Sequence, residues 1–194
     1  TSRLVGSEMC IRDRDYDDDY SVYLNDPRNI NLGKKLITNK KILIEKERLK
    51  EINETEYHEI LINHTTPYSP FDILENKSLL LENNFDNLNA IDWDKGCYVG
   101  QEITARMKYR GLLKKKLYAL KIKSGDVLEG DELIVDNKKI GTIVSKANSN
   151  IFAALNINFV NEIKNKNQNL VINDSLSFDF LNWKFFSVKT YWNY

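Results

Sequence analysis

The sequence predicts an α+β fold in which a mixed helix-and-strand part precedes an all-β part. Three observations carry this. Residues 54–64 place Tyr57, Ile60, Leu61 and His64 on one helical face. Residues 99–109 read as a second helix, with Gly111 well placed to end it. Beyond Gly111 the period changes to two. KKLYALKIK, DELIVD, KKIGTIVSKA, IFAALNI, SLSFDFL and KFFSVKTYW are short alternating runs separated by Gly, Asn and Asp. Many strands at close spacing predict a small barrel or sandwich.

Each element has a local cause. SVYL, after the acidic run at 15–19, reads as a strand that Asp26-Pro27-Arg28 breaks with turn chemistry. Residues 32–38 and 41–45 read as two short strands. Asn53 is placed to cap the first helix, and Pro67 and Pro70 to stop it. Residues 79–81 are a short apolar run, and 82–94 are irregular but anchored by Phe85, Leu88 and Ile91. No internal repeat and no low-complexity linker separates the parts, so the boundary falls between 15–110 and 111–194.

The first 14 residues differ from the rest. TSRLVGSEMCIRDR holds Arg3, Arg12, Arg14 and Cys10, whereas the body is rich in Lys, Asn and Ile, the residues of A/T-rich codons. Residues 1–14 therefore read as a non-native or disordered leader, without the long apolar core of a signal peptide. Against that bias the body keeps Arg28, Arg48, Arg106 and Arg110. A planar guanidinium is hard to replace where two parallel hydrogen bonds to a carboxylate or phosphate are needed.

At 194 residues the chain can form one large domain or two small ones with a real core. A hydrophobic share of 42% without a long apolar run gives no membrane span. The formal net charge of zero makes no demand for nucleic acid or an anionic membrane. Locally, segment 95–123 carries Lys95, Arg106, Lys108, Arg110, Lys114, Lys115, Lys116, Lys121 and Lys123 against Glu102 alone. It is either an anion-attracting strip or a solvated face whose counter-charges come from elsewhere in the fold. Two cysteines argue for a reducing compartment, and His58 and His64, six apart, fall on different helical faces. No metal bound by this chain alone is expected.

The stretch DKGCYVGQE, residues 94–102, is the most distinctive. Its Cys97 stands just before a predicted helix start, where the macrodipole and free N–H groups favour thiolate, as do Lys95 and Arg106. Gly96 and Gly100 would allow a tight bend and close backbone approach. Gln101 and Glu102 suit a first turn, and Glu102 could reach back to a backbone N–H. The alternative is that Cys97 is a small filler in a tight turn.

KGCYVGQE resembles the K-G-C-Y-x-G-Q-E signature of the YgfZ family, folate-binding proteins of iron–sulfur cluster assembly or repair related to the glycine-cleavage T-protein, an aminomethyltransferase. DPRNINLG resembles the family's D-P-R-x-x-x-L-G element, and LLLENNFDNLNAI its run-up to the motif. The resemblance covers about residues 20–180. It implies a ferredoxin-like half of a T-protein/YgfZ-like body at 15–110, then a small C-terminal β-barrel at 111–194, in a C-terminal fragment of a longer protein. It also implies tetrahydrofolate as cofactor and Cys97 as the reactive thiol. Lys95, Gly96, Tyr98, Gly100, Gln101 and Glu102 fill out the motif. Tyr57, ten residues before Pro67, stands where a folate-contacting aromatic is expected, although the family more often has Trp there. Arg28, Arg106 and Arg110 are candidates for folate's carboxylates, with acids of their own fold as the alternative partners.

The function so implied is a non-catalytic or weakly catalytic accessory factor. It would serve cluster-containing clients, such as tRNA-modifying enzymes, or the assembly machinery, in a bacterial cytoplasm. Two alternatives stand beside it: a tetrahydrofolate-dependent aminomethyltransferase, and an RNA-binding module using 95–123. Direct nucleic-acid contact is not favoured, because no strand carries the paired aromatics of an RNA-stacking platform.

Overall fold

The computed structural model describes residues 21–38, 51–69, 71–96, 99–166, 170–172 and 176–181. Strands β1 (Ser21–Asn25) and β2 (Lys34–Thr38) pair antiparallel, with Leu24 opposite Lys35. Between them the backbone coils into a 3-10 turn at Ile30–Leu32, whose Asn29 side chain accepts the Asn31 N–H. That turn delays the second strand to Lys34, two residues after its expected start. The strand expected at 41–45 and the one expected in KFFSVKTYW lie outside the described residues, as does the 1–14 leader.

Helix α1 (Glu54–Asn63) begins at a reciprocal cap: Asn53 accepts the Glu56 N–H at 2.8 Å, and Glu56 accepts the Asn53 N–H at 2.9 Å. Its buried face is His58, Leu61 and Ile62, not the expected set of Tyr57, Ile60, Leu61 and His64; Ile60 is 39% exposed. The helix is rotated from its sequence-based face because His58 finds a buried carboxylate partner, Asp72. Sequence periodicity alone does not reveal a partner fourteen residues further on.

Helix α2 (Gln101–Tyr109) starts after Gly100, which is left-handed at φ +88°, and ends at Arg110. Gly111, at φ +61°, then lets the Leu112 N–H reach back to the Met107 carbonyl at 3.2 Å. This is the six-to-one closure that glycine makes possible at a helix end.

From Lys115 the chain builds one six-stranded antiparallel sheet that curls into a nearly closed barrel. Its strands are β3 (Lys115–Ser124), β4 (Glu132–Val135), β5 (Lys138–Ala147), β6 (Asn150–Asn156), β7 (Leu170–Ile172) and β8 (Leu176–Phe180). They lie in the order β4-β5-β6-β3-β8-β7, and the two end strands approach each other. Inside are Tyr118, Leu120, Ile143, Ile151, Ala153, Leu155 and Phe178, the period-two positions of the strands. The phenol of Tyr118, pushed up to about 12 by burial, is held neutral there. The alternate positions Leu117, Ala119 and Phe152 point outward, yet they are buried under Ile62 of α1. The middle of β3 is thus covered on both faces.

Two elements of the β part were not expected from sequence. Helix α3 (Ile157–Asn165) follows β6 directly and sends Val160 and Ile163 into the barrel core; Asn156 caps it by accepting the Asn158 and Phe159 N–H groups. Strand β7 is three residues long, too short for alternation to register. Of the expected anchors of the irregular 82–94 stretch, Leu88 is buried and Phe85 and Ile91 are half-buried. Backbone ties add to them, the Leu117 N–H donating to the Glu82 carbonyl at 2.7 Å and the Asn84 amide to the Leu117 carbonyl at 2.7 Å.

Candidate functional site

The described residues of the signature stretch ahead of α2, 94–96 and 99–100, are exposed. Asp94 begins it with its N–H on the Asp92 carboxylate at 3.0 Å. Cys97 and Tyr98 lie outside the described residues. Val99 is fully exposed, and Ile103, one turn into the helix, is 60% exposed. Gly100 supplies no capping side chain, so the first-turn N–H groups keep the positive end of the helix dipole uncovered by a cap. The two motif glycines differ. Gly100 needs glycine for its left-handed backbone, whereas a Cβ on Gly96 would meet nothing within 4 Å.

Glu102 does not turn back to the backbone; its carboxylate pairs along the helix with Arg106, four residues on. Gln101 opens the helix, Lys95 is exposed in the loop, and Arg110 is exposed at the helix end. Behind the loop, the Lys108 ammonium lies 3.5 Å from the Trp93 ring centre, and Tyr109 meets Trp93 edge-on at 6.3 Å. Burial pushes the Lys108 amine below its ordinary range, against the pull of Asp86 and Asp94.

A second group forms at the DPR turn. Arg28 grips Asp26 with two parallel hydrogen bonds, Nε to Oδ1 at 3.0 Å and Nη2 to Oδ2 at 2.7 Å, while Lys35 adds its charge at 3.3 Å. Those Arg28 bonds hold the nearly buried Asp26 carboxyl far below the usual carboxylate range, and the same bonds raise the guanidinium further. Arg28 Nη2 also reaches the Tyr57 hydroxyl at 3.5 Å. Tyr57 meets Tyr68 edge-on at 5.9 Å, and Tyr68 meets Phe71 at 5.9 Å. The result is a half-exposed aromatic wall with a guanidinium at its edge.

The fold therefore brings Arg28 and Tyr57 together, and Glu102 and Arg106. The basic segment finds counter-charges in the fold: Lys115 pairs with Glu82, Lys116 with Asp86 and Lys123 with Asp179. Burial lowers the Lys116 amine, with Asp86 opposing. Sequence reading missed Asp26, Tyr68, Phe71, Trp93 and Lys108. Asp26 and Trp93 had a signal, one two residues from Arg28 and the other directly ahead of the motif. Among the described residues no group of three or more His, Cys, Asp or Glu side chains is arranged to hold a metal ion, and no helix is long and apolar enough to cross a membrane.

Tyr57 and Tyr68 are half-buried aromatic side chains, a type of group that can stack on a planar ring. Arg28 is already committed to Asp26, so its fork is not free to clamp a carboxylate in the two-bonded way.

No protein-family model matches the chain. Individual relatives do, and they define one class: iron–sulfur cluster assembly factors. The chain is 35% identical over 121 residues to the mitochondrial factor IBA57 homologue of Dictyostelium discoideum, covering 59% of this chain and 30% of that protein. It is 30% identical over 104 residues to mitochondrial IBA57 of Mus musculus, covering 53% of this chain and 28% of that one. For Homo sapiens IBA57 the figures are 30% over 103 residues, 52% and 28%. The chain thus spans at most about 30% of the length of these relatives.

The similarity agrees with the signature at the level of the family, but it does not single out a bacterial YgfZ protein. It also corrects one expectation. The relatives are mitochondrial factors of eukaryotes, which overturns the reading of a bacterial cytoplasmic protein. That address came with the resemblance to YgfZ proteins, and a short signature in the sequence carries no cellular address.

Proposed function

We propose that this chain is part of an accessory factor in iron–sulfur cluster assembly, acting in mitochondria on cluster-containing clients or with the assembly machinery. The observation that carries the reading is the similarity to IBA57 factors in a chain whose KGCYVGQE stretch leads, through a fully exposed Val99, into a helix start without a side-chain cap. In this reading Cys97 is the working thiol. Lys95, Gly96, Tyr98, Gly100, Gln101 and Glu102 shape and charge the loop around it. The cluster is cargo, passed on rather than kept.

Tetrahydrofolate is the proposed ligand of a T-protein-like body to which residues 15–110 contribute. Tyr57 and Tyr68 would stack on its rings, Arg28 would border the site, and Arg110 or Arg106 would meet the carboxylate end. The clients include cluster-dependent tRNA-modifying enzymes. Two experiments test this. Cys97→Ser, placed in the full-length protein, should fail to restore cluster-dependent enzyme activities in cells lacking the factor; full restoration would refute the thiol role. Calorimetric titration with tetrahydrofolate should show binding that Tyr57→Ala weakens, and absence of any binding to the unaltered full-length protein would refute the ligand.

A further inference from the structure

We propose that Asp72 is a positioning residue whose buried carboxylate pins the aromatic wall of Tyr57, Tyr68 and Phe71 to barrel strand β5. The ligand reading above is needed only to say what the wall serves.

Asp72 is 2% exposed, and its two oxygens are shared by three separate pieces of chain. Oδ1 accepts the hydroxyl of Ser145 on β5 and lies 2.9 Å from His58 Nε2 on α1. Oδ2 accepts the Tyr68 N–H at 2.7 Å and lies 3.2 Å from the same His58 nitrogen. A carboxyl group out of reach of water needs hydrogen-bond partners to be tolerated. Here the partners come from helix, turn and barrel at once.

Tyr68 and Phe71 are tied to this carboxylate directly or through His58, and Tyr57 through its edge-on contact with Tyr68. The His58 ring stacks on Phe71 at 5.2 Å, and Tyr57 is its neighbour on α1. Tyr68 is held by its own amide. The barrel end of the pin depends on a register shift in the β5–β6 pairing between Ile143 and Ser145. Ile143 faces the barrel interior, so strict alternation would turn Ser145 inward as well. The extra residue, Val144, re-aims Ser145 to the outer side, where Ala147 packs with Ile62 of α1. A bulge that turns a serine out of a core and onto a buried carboxylate has a use beyond sheet curvature.

Ser145→Ala is the decisive variant. It removes a fully buried hydroxyl, leaves no orphaned donor, and leaves Asp72 its bonds to His58 and Tyr68. Hydrogen exchange at the Tyr68 amide and across α1 should speed up about fivefold, with β3 and β6 amides unchanged. Unchanged exchange at Tyr68 and α1, or equal acceleration throughout the barrel, would overturn the pin. Tetrahydrofolate titration of the full-length protein supplies the second arm. If the unaltered protein binds and Ser145→Ala binds severalfold more weakly, the pin positions the ligand wall; equal binding by both overturns that role. If the unaltered protein does not bind, the ligand reading fails by itself, and exchange alone still judges the pin.

Discussion

The Lys108 ammonium lies 3.5 Å from the centre of the Trp93 ring, joining the last turn of α2 to the residue just before the signature stretch. The two ends of the segment that holds KGCYVGQE are thereby tied to each other. Such a pair contributes about 1 kcal/mol where the cation is partly desolvated. Lys108→Met keeps the length and removes the charge. It should lower Tm by about 3 °C and change Trp93 fluorescence. An unchanged melt together with an unchanged spectrum would show that the contact carries no energy.

The Asp26–Arg28 pair predicts an acid-side loss of stability. The folded carboxyl titrates well below its unfolded value of about 3.9, so the unfolded chain binds the proton first. Its contribution is therefore fully present above that value and fades as pH falls toward the folded one. The stability difference between the unaltered protein and Asp26→Asn, followed by urea unfolding, should shrink by about 1 kcal/mol between pH 5 and pH 3. A difference that stays constant across that range would contradict the assignment. Arg28→Lys should also cost stability at neutral pH, because an ammonium cannot reproduce the two parallel bonds.

Gly141 and Gly96 should respond oppositely to the same change. A Cβ on Gly141 would stand 2.5 Å from the Ala154 carbonyl oxygen and 2.5 Å from a Leu155 methyl, and the first of these is backbone that cannot step aside. Gly141→Ala should cost about 2 kcal/mol and lower Tm by about 6 °C. Gly96→Ala should stay within about 0.5 kcal/mol of the unaltered protein. Any functional loss in Gly96→Ala would then belong to the loop's chemistry and not to folding. Calorimetric melts of the two variants decide the matter.

The cap of α1 gives a smaller effect. Asn53→Ala removes the acceptor for the Glu56 N–H while keeping the backbone N–H that donates to the Glu56 carboxylate, at a cost of about 1 kcal/mol. Asn53→Asp should retain most of it. If the Ala variant melted with the unaltered protein, α1 would be held by its packing on the barrel alone.

Short-range physics was legible in the sequence. Asn53 marks the start of α1 and Gly111 the end of α2, because capping and left-handed backbone are decided within a few residues. Alternation found β3, β4, β5, β6 and β8, because one face of each meets the barrel core. The signature and the DPR turn were readable as strings, and the guanidinium of Arg28 was flagged by its survival in a lysine-rich chain. Tertiary structure alone decided the rest. Which face α1 buries depends on a carboxylate fourteen residues away. The Tyr57–Tyr68–Phe71 wall needs a turn, and it is the barrel core that gives Val160 and Ile163 of α3 their partners. Ser145 points at Asp72 only because a bulge reverses the parity of β5. Local propensity acts over one turn or one pleat, whereas these four outcomes depend on partners far along the chain, whose position no local preference encodes.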